Sequence, residues 1–144
     1  MPFYFFDASA AVKIYHPETG ADKVLEIYRL PDNGVIISNL AYTEVISALN
    51  RKKQNGVISQ LQFDDSISKF FSDYENKYLV MDLYDDIRIL AGKLIMRRNI
   101  RSGDGIQLAT ALDNEDVDLT FVSADQKLCD AATSEGLQVL NPEK

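Results

Sequence analysis

Short apolar runs alternate with stretches of helical periodicity along the whole chain. The first run, Phe-Tyr-Phe-Phe at residues 3–6, has no polar interruption, the pattern of a parallel strand buried on both faces. A helix is expected from Ala8 to about Tyr15, ended by His16-Pro17 because the residue before proline disfavours helical backbone. Residues 19–30 read as a second helix, closed by the turn Pro31-Asp32-Asn33-Gly34. Residues 35–38 form the next strand, and a helix from Asn39 to Lys53 stops at Asn55-Gly56. A helix from Ser59 to about Tyr74 and a strand over 78–83 follow. Between Tyr84 and Arg98, Ile87, Leu90, Ala91, Leu94 and Ile95 recur at the spacing of a buried helical stripe. Ser102 to about Asn114 is a helix opening on Gly103-Asp104-Gly105, and 119–123 is a strand. Ser123-Ala-Asp-Gln126 fits a capping box for a helix running to Ser134, before a last strand at 137–140. This alternation predicts a single α/β domain with a central parallel β-sheet of about four to five strands and helices on both faces.

Composition narrows the setting. A chain of 144 residues with 46% hydrophobic and 26% charged positions is that of one ordinary globular domain, 1–144. With Cys129 alone there is no internal disulfide, which points to a cytoplasmic protein, and a small apolar filler in a helix accounts for that residue. No segment approaches the ~18 apolar residues of a membrane span, and the first residues lack the basic leader of a signal peptide. The net charge of −7 argues against generic nucleic-acid binding, so an RNA ligand requires a local basic patch or a bound metal.

Asp7, Glu44, Asp104 and Asp125 fall where strand gives way to helix or inside a helix entrance. Strand ends of a parallel sheet gather at its carboxyl edge, where ligands bind. Four carboxylates brought together there, without Cys or His, are stable mainly with a hard divalent cation such as Mg²⁺ or Mn²⁺. Taken singly, Asp7, Asp104 and Asp125 are better explained by capping and the helix dipole. Glu44 sits at the border of its helix's apolar stripe, with Leu40, Ala41 and Ala48 as neighbours. Ser9, two residues after Asp7, is either a hydroxyl directed at a metal's water or a first-turn helix residue.

The blocks FFDASAAVKIY, NLAYTEVISAL, SGDGIQLATAL and FVSADQKLCDAA with GLQVLNP resemble the signature blocks of PIN domains. Within them they are similar to the VapC-type ribonuclease toxins of bacterial toxin–antitoxin pairs. The resemblance spans essentially the whole chain and implies that Asp7, Glu44, Asp104 and Asp125 are catalytic and hold Mg²⁺ or Mn²⁺. It also implies an RNA substrate, a VapB-type antitoxin partner and a homodimer. Where relatives usually read Asp-Ala-Leu-His, this chain has Asp104-Gly105-Ile106-Gln107. Gly105 costs roughly 1 kcal/mol of helix propensity against Ala and is expected to loosen the helix start presenting Asp104. Gln107 cannot carry charge or bind metal as histidine does.

The chemistry expected is endonucleolytic cleavage of RNA by metal-activated water. Lys13, Arg97, Arg98 and Arg101 are candidate RNA contacts, and Arg51, Lys52 and Lys53 extend the helix of Glu44. Each group is also explained as solvated helix-end charge. The aromatics Phe63, Phe70, Phe71, Tyr74 and Tyr78 form either core or a partner groove. His16 precedes a proline and reads as a surface residue. A haloacid-dehalogenase-type phosphotransferase requires a second Asp where Ser9 stands, and a response-regulator receiver requires an Asp where Asn39-Leu40 follow the second strand. A PIN-like domain turned binding module is the remaining alternative.

Overall fold

The computed structural model describes residues 1–144. In chain order the elements are β1 (Phe3–Phe6), α1 (Ala8–Tyr15), α2 (Ala21–Arg29), β2 (Gly34–Ser38), α3 (Leu40–Gln54) and α4 (Gln60–Asn76). Then come β3 (Leu79–Met81), α5 (Asp85–Arg98), α6 (Ser102–Asp113), β4 (Leu119–Val122), α7 (Gln126–Ser134) and β5 (Gln138–Leu140). All strands are parallel in one five-stranded sheet of order β3-β2-β1-β4-β5. The chain winds outward from β1 through β2 to β3, then returns to the other side of β1 for β4 and β5. Helices α1–α4 pack on one core and α5–α7 on the other, the arrangement that the right-handed crossover rule gives for this strand order. The reversal point lies between β1 and β4, and the crevice at their carboxyl ends is the site such a topology provides.

Alternation along the central strands feeds two cores. Phe6, Val35, Ile37 and Val122 pack with α1, α2, α3 and α4, while Phe5, Ile36, Leu119 and Phe121 pack with α5, α6 and α7. Phe5 and Phe121 stack with ring centres 5.6 Å apart across the β1–β4 pair. Phe70 and Tyr78 are buried in the first core, Phe63 and Tyr74 pack against it, and Phe71 is partly exposed, stacking on Tyr42 at 5.7 Å. The outer strands are shorter than the sequence pattern predicts: β3 covers Leu79–Met81, because its ladder with β2 ends at the Ser38–Met81 pair.

Gly105 does not loosen α6. It is buried, and a Cβ there would lie 2.6 Å from Ile95 Cγ1 and 3.2 Å from the Ala91 carbonyl. The missing side chain lets α6 lie close on α5, and the modest propensity cost is exchanged for that contact.

Candidate active site

Asp7 leaves β1 and caps α1, its Oδ1 accepting from the Ala10 amide at 3.0 Å. The Ser9 hydroxyl donates to the same oxygen at 2.6 Å, and the Ser123 hydroxyl donates to Oδ2 at 2.6 Å. The Ser123 oxygen accepts from the Asp125 amide at 3.1 Å and makes no capping box with Gln126; the cap of α7 is Asp125, which accepts from the Leu128 amide at 3.2 Å. Ser9 also accepts from the Ala124 amide at 2.9 Å, tying α1 to the end of β4. Asp7 is only 4% exposed. Burial pushes its carboxyl up to about 6; its three hydrogen bonds pull the other way, and the charge of Asp104 adds a little to the rise.

Asp104 stands in the first turn of α6, half-buried. Its carboxyl is raised by burial and by the charges of Asp125 and Glu44, against the pull of Arg101 and Lys127. Glu44 reaches in from α3 and accepts from Gln107 Nε2 at 2.6 Å, while Gln107 Oε1 accepts from the Ser38 hydroxyl at 3.0 Å. Asp7, Ser9, Glu44, Arg51, Asp104, Gln107 and Asp125 line one cleft of about 440 Å³ at the β1–β4 crevice.

The donor set is all oxygen. Cys129 is buried, its thiol donates to the Ser123 carbonyl at 3.2 Å, and burial with the charges of Asp7 and Asp125 pushes it up to about 11. His16 caps the end of α1 remote from Asp7. No three carboxylate, His or Cys groups converge into a ready-made cage. Carboxylates spread around a wet cleft suit a hard ion that keeps most of its waters and takes one or two protein oxygens.

The basic residues divide. Lys13 is 3% exposed, and its ammonium donates to Glu18 at 3.3 Å, Glu143 at 2.8 Å and the Thr19 carbonyl at 2.7 Å. All its donors are used internally, so the RNA contact expected of Lys13 has no free N–H to make it. Arg97 and Arg98 bind Glu135 at 3.0 and 2.7 Å, at the C-cap of α7. That is about 15 Å along the helix from Asp125. Arg101 stands at the N-cap position of α6 without a capping bond, exposed, and its charge acts on Asp104. Lys127, coupled to Asp104 in the same way, and Arg51 in the cleft wall complete a basic rim. Ser38 and Gln107 stand in the sequence as polar residues inside otherwise buried runs, whereas the exposed Lys127 carries no such signal.

The family model described as PIN domain matches residues 4–133. The chain belongs to the PIN-domain family. Two relatives from Mycobacterium tuberculosis, named ribonuclease VapC45 and ribonuclease VapC49, are each 30% identical over 139 residues, covering 96% of this PIN domain and 95% of theirs. Among solved structures, Mycobacterium tuberculosis VapC20, a toxin that cleaves the sarcin–ricin loop, superposes with a TM-score of 0.69 at 13% identity, covering 96% and 97% of the two chains. A toxin–antitoxin complex from Klebsiella pneumoniae gives a TM-score of 0.62 at 19% identity, again covering 96% and 97%. At these identities the structural matches speak for the fold. No helix of this PIN domain is long and apolar enough to cross a membrane.

Proposed function

We propose that this PIN domain is a divalent-metal-dependent endoribonuclease, the toxin of a cytoplasmic toxin–antitoxin pair. Its partners would be an RNA substrate, a VapB-type antitoxin and a second copy of the chain in a homodimer. The observation that carries the reading is the meeting of Asp7, Glu44, Asp104 and Asp125 in one cleft at the sheet's reversal point. The relatives named ribonuclease VapC, alike over nearly the full chain, support the choice of substrate and biological setting.

Asp7, Glu44, Asp104 and Asp125 are the residues that would hold Mg²⁺ or Mn²⁺. A bound divalent ion supplies Lewis-acid activation of water and neutralises charge developing on the phosphodiester. The protein's own contribution is placement. Ser9, Ser123 and the Ala10 amide fix both oxygens of Asp7. Gln107 fixes one oxygen of Glu44. Arg51, Arg101 and Lys127 offset the negative cleft and draw phosphate toward it. The cleft lining contains no histidine to serve as proton donor and acceptor for a route through the ribose 2′-hydroxyl.

Cleavage is therefore expected to require Mg²⁺ or Mn²⁺, to stop with chelator, and to leave 5′-phosphate and 3′-hydroxyl ends. The deciding experiment places a single 2′-deoxy nucleotide at the cut position. Persistent cutting supports hydrolysis; its complete loss, or 2′,3′-cyclic phosphate ends, sinks the mechanism. Tight RNA binding without cleavage under any divalent ion would instead identify a binding module.

A further inference from the structure

Gln107 is 1% exposed, and so is Ser38 at the end of β2. Two uncharged polar side chains at such depth are held there by what they bond. A carboxylate only accepts, so the Gln107 amide must turn its Nε2 toward Glu44; its Oε1 then faces Ser38, whose hydroxyl donates. Flipping the amide would set oxygen against oxygen at 2.6 Å, so the order Ser38, Gln107, Glu44 runs one way only.

The second oxygen of Glu44 lies against the same helix. A Cβ built on Gly103 would lie 2.9 Å from Glu44 Oε2, closer than real Cβ contacts fall, and its other near atom is Cδ of the same carboxylate. Gly103 has a negative φ, so its backbone does not require glycine. The absent side chain is instead the space that the carboxylate occupies. α6 thus meets Glu44 at both oxygens, with a donor at one and a vacant Cβ position at the other.

We propose that Gln107, oriented by Ser38, is a positioning residue that fixes the Glu44 carboxylate for catalysis, and that Gly103 is small to admit it. This rests on the reading of Glu44 as a working acid of the cleft. The arrangement gives Glu44, carried on α3, a fixed relation to Asp104, carried on α6, without adding any charge to the cleft. A cationic donor in the place of Gln107 would weaken the negative potential that attracts the divalent ion; a neutral amide orients the carboxylate and leaves that potential intact.

The test uses the full chain with Mn²⁺ alone, binding followed by electron paramagnetic resonance, and then an RNA oligonucleotide to separate kcat from KM. Gln107→Met keeps shape and removes the donor; about a 10–100-fold loss of Mn²⁺ affinity and of kcat is expected, with KM for RNA unchanged. Ser38→Ala should give a smaller loss in the same direction that disappears in the Gln107→Met background. Gly103→Ala removes no polar group and raises helix propensity. A merely structural role predicts that it stabilises the fold and leaves Mn²⁺ binding alone; the positioning role predicts a tenfold or greater loss of affinity in a protein that still melts at or above the wild-type temperature. If Gln107→Met and Gly103→Ala bind Mn²⁺ like wild type while Glu44→Gln does not, the positioning role is wrong and the cleft reading stands. If Glu44→Gln also binds normally, the cleft reading itself has failed.

Discussion

Asp7 and Glu44 sit in the same cleft but are held by different kinds of structure. Asp7 is fastened where it stands: it ends β1, caps the helix that follows, and has both oxygens bonded to chain segments beside it. Glu44 emerges from the middle of α3 and takes its orientation from α6, a helix that begins far along the chain. Asp125 belongs with Asp7 as a strand-end cap, and Asp104 with Glu44 as a residue delivered by helix packing. Asp7 is held by the Ala10 amide and Ser9 of its own helix start and by Ser123 at the end of the neighbouring strand, whereas a helix-borne acid is only as well placed as the contact between its helix and the next.

The bluntest way to break the comparison is to remove each acid in turn. Asp7→Asn, Glu44→Gln, Asp104→Asn and Asp125→Asn should each cost several kcal/mol of transition-state stabilisation, roughly a hundredfold to a thousandfold in kcat/KM for RNA cleavage. Equal losses would mean that both kinds of acid serve the same chemistry. A variant retaining full rate would remove its residue from the set.

Stability separates the pair where activity does not. Burial holds the Asp7 carboxyl at about 6 against an ordinary value of 3.8, so between those values the folded state binds more protons than the unfolded one. Metal-free stability should therefore fall as pH rises from about 4 to 6 and stay reduced above that, by about 3 kcal/mol. The leading cause is desolvation, with repulsion from Asp104 a minor one. Asp7→Asn keeps an oxygen for Ser9 and Ala10 and offers an N–H to the Ser123 oxygen. At pH 7 it should raise Tm by about 5–10 °C, with the gain vanishing near pH 4. Asp125→Asn, an equally good cap in a more exposed place, should change stability by only a few tenths of a kcal/mol. A fall in Tm for Asp7→Asn would show that the carboxylate acts there chiefly as a cap.

Helix-borne placement is challenged by Gly105→Ala. Overpacking against Ile95 and the Ala91 carbonyl should destabilise by about 1–3 kcal/mol, outweighing the gain in propensity, and should weaken Mn²⁺ binding by displacing Asp104. A more stable protein with unchanged Mn²⁺ affinity would show that the close contact has no bearing on the cleft.

The smallest effects concern the basic rim. Replacing Arg101 and Lys127 with Ala should reduce the slope of log affinity for RNA against log salt by about one for each cation lost. Replacing Arg97 and Arg98 should leave the slope nearly unchanged, since Glu135 already engages both. The reverse result would move the RNA to the α5–α7 surface.

The two classes of acid also differ in how legible they are. The element order, the parallel sheet and the strand-end positions of Asp7 and Asp125 follow from local pattern, because an apolar run, an acid and a helix start are all neighbours in sequence. What Gly105 and Gln107 do cannot be read locally. A glycine near a helix start looks like a weakness until the helix beside it is known, and the partners of Gln107 lie 63 and 69 positions away in sequence. Ser123 misleads too: its spacing to Gln126 satisfies a capping rule, yet Asp125 is the cap, and the Ser123 hydroxyl donates to the buried Asp7 while its oxygen accepts from the Asp125 amide. Lys13 misleads in the opposite direction, since its ammonium is taken up by Glu18 nearby and by Glu143 at the far end of the chain.

The hydrogen bond from Ser123 to Asp7 joins residues 116 positions apart, and β1 gains its second neighbour only when β4 exists. Closing so long a loop is among the slower steps available to a chain of this size. β1, β2 and β3 precede α6 and β4 in the chain, so the cleft lacks Asp104 and Asp125 until those later elements are made, and the first core lacks Val122 of β4. Placing β1 at the centre of the sheet therefore makes the cleft wait on residues from both halves of the fold. A nascent chain that has made β1 and α3 holds Asp7 and Glu44 without the two acids that face them.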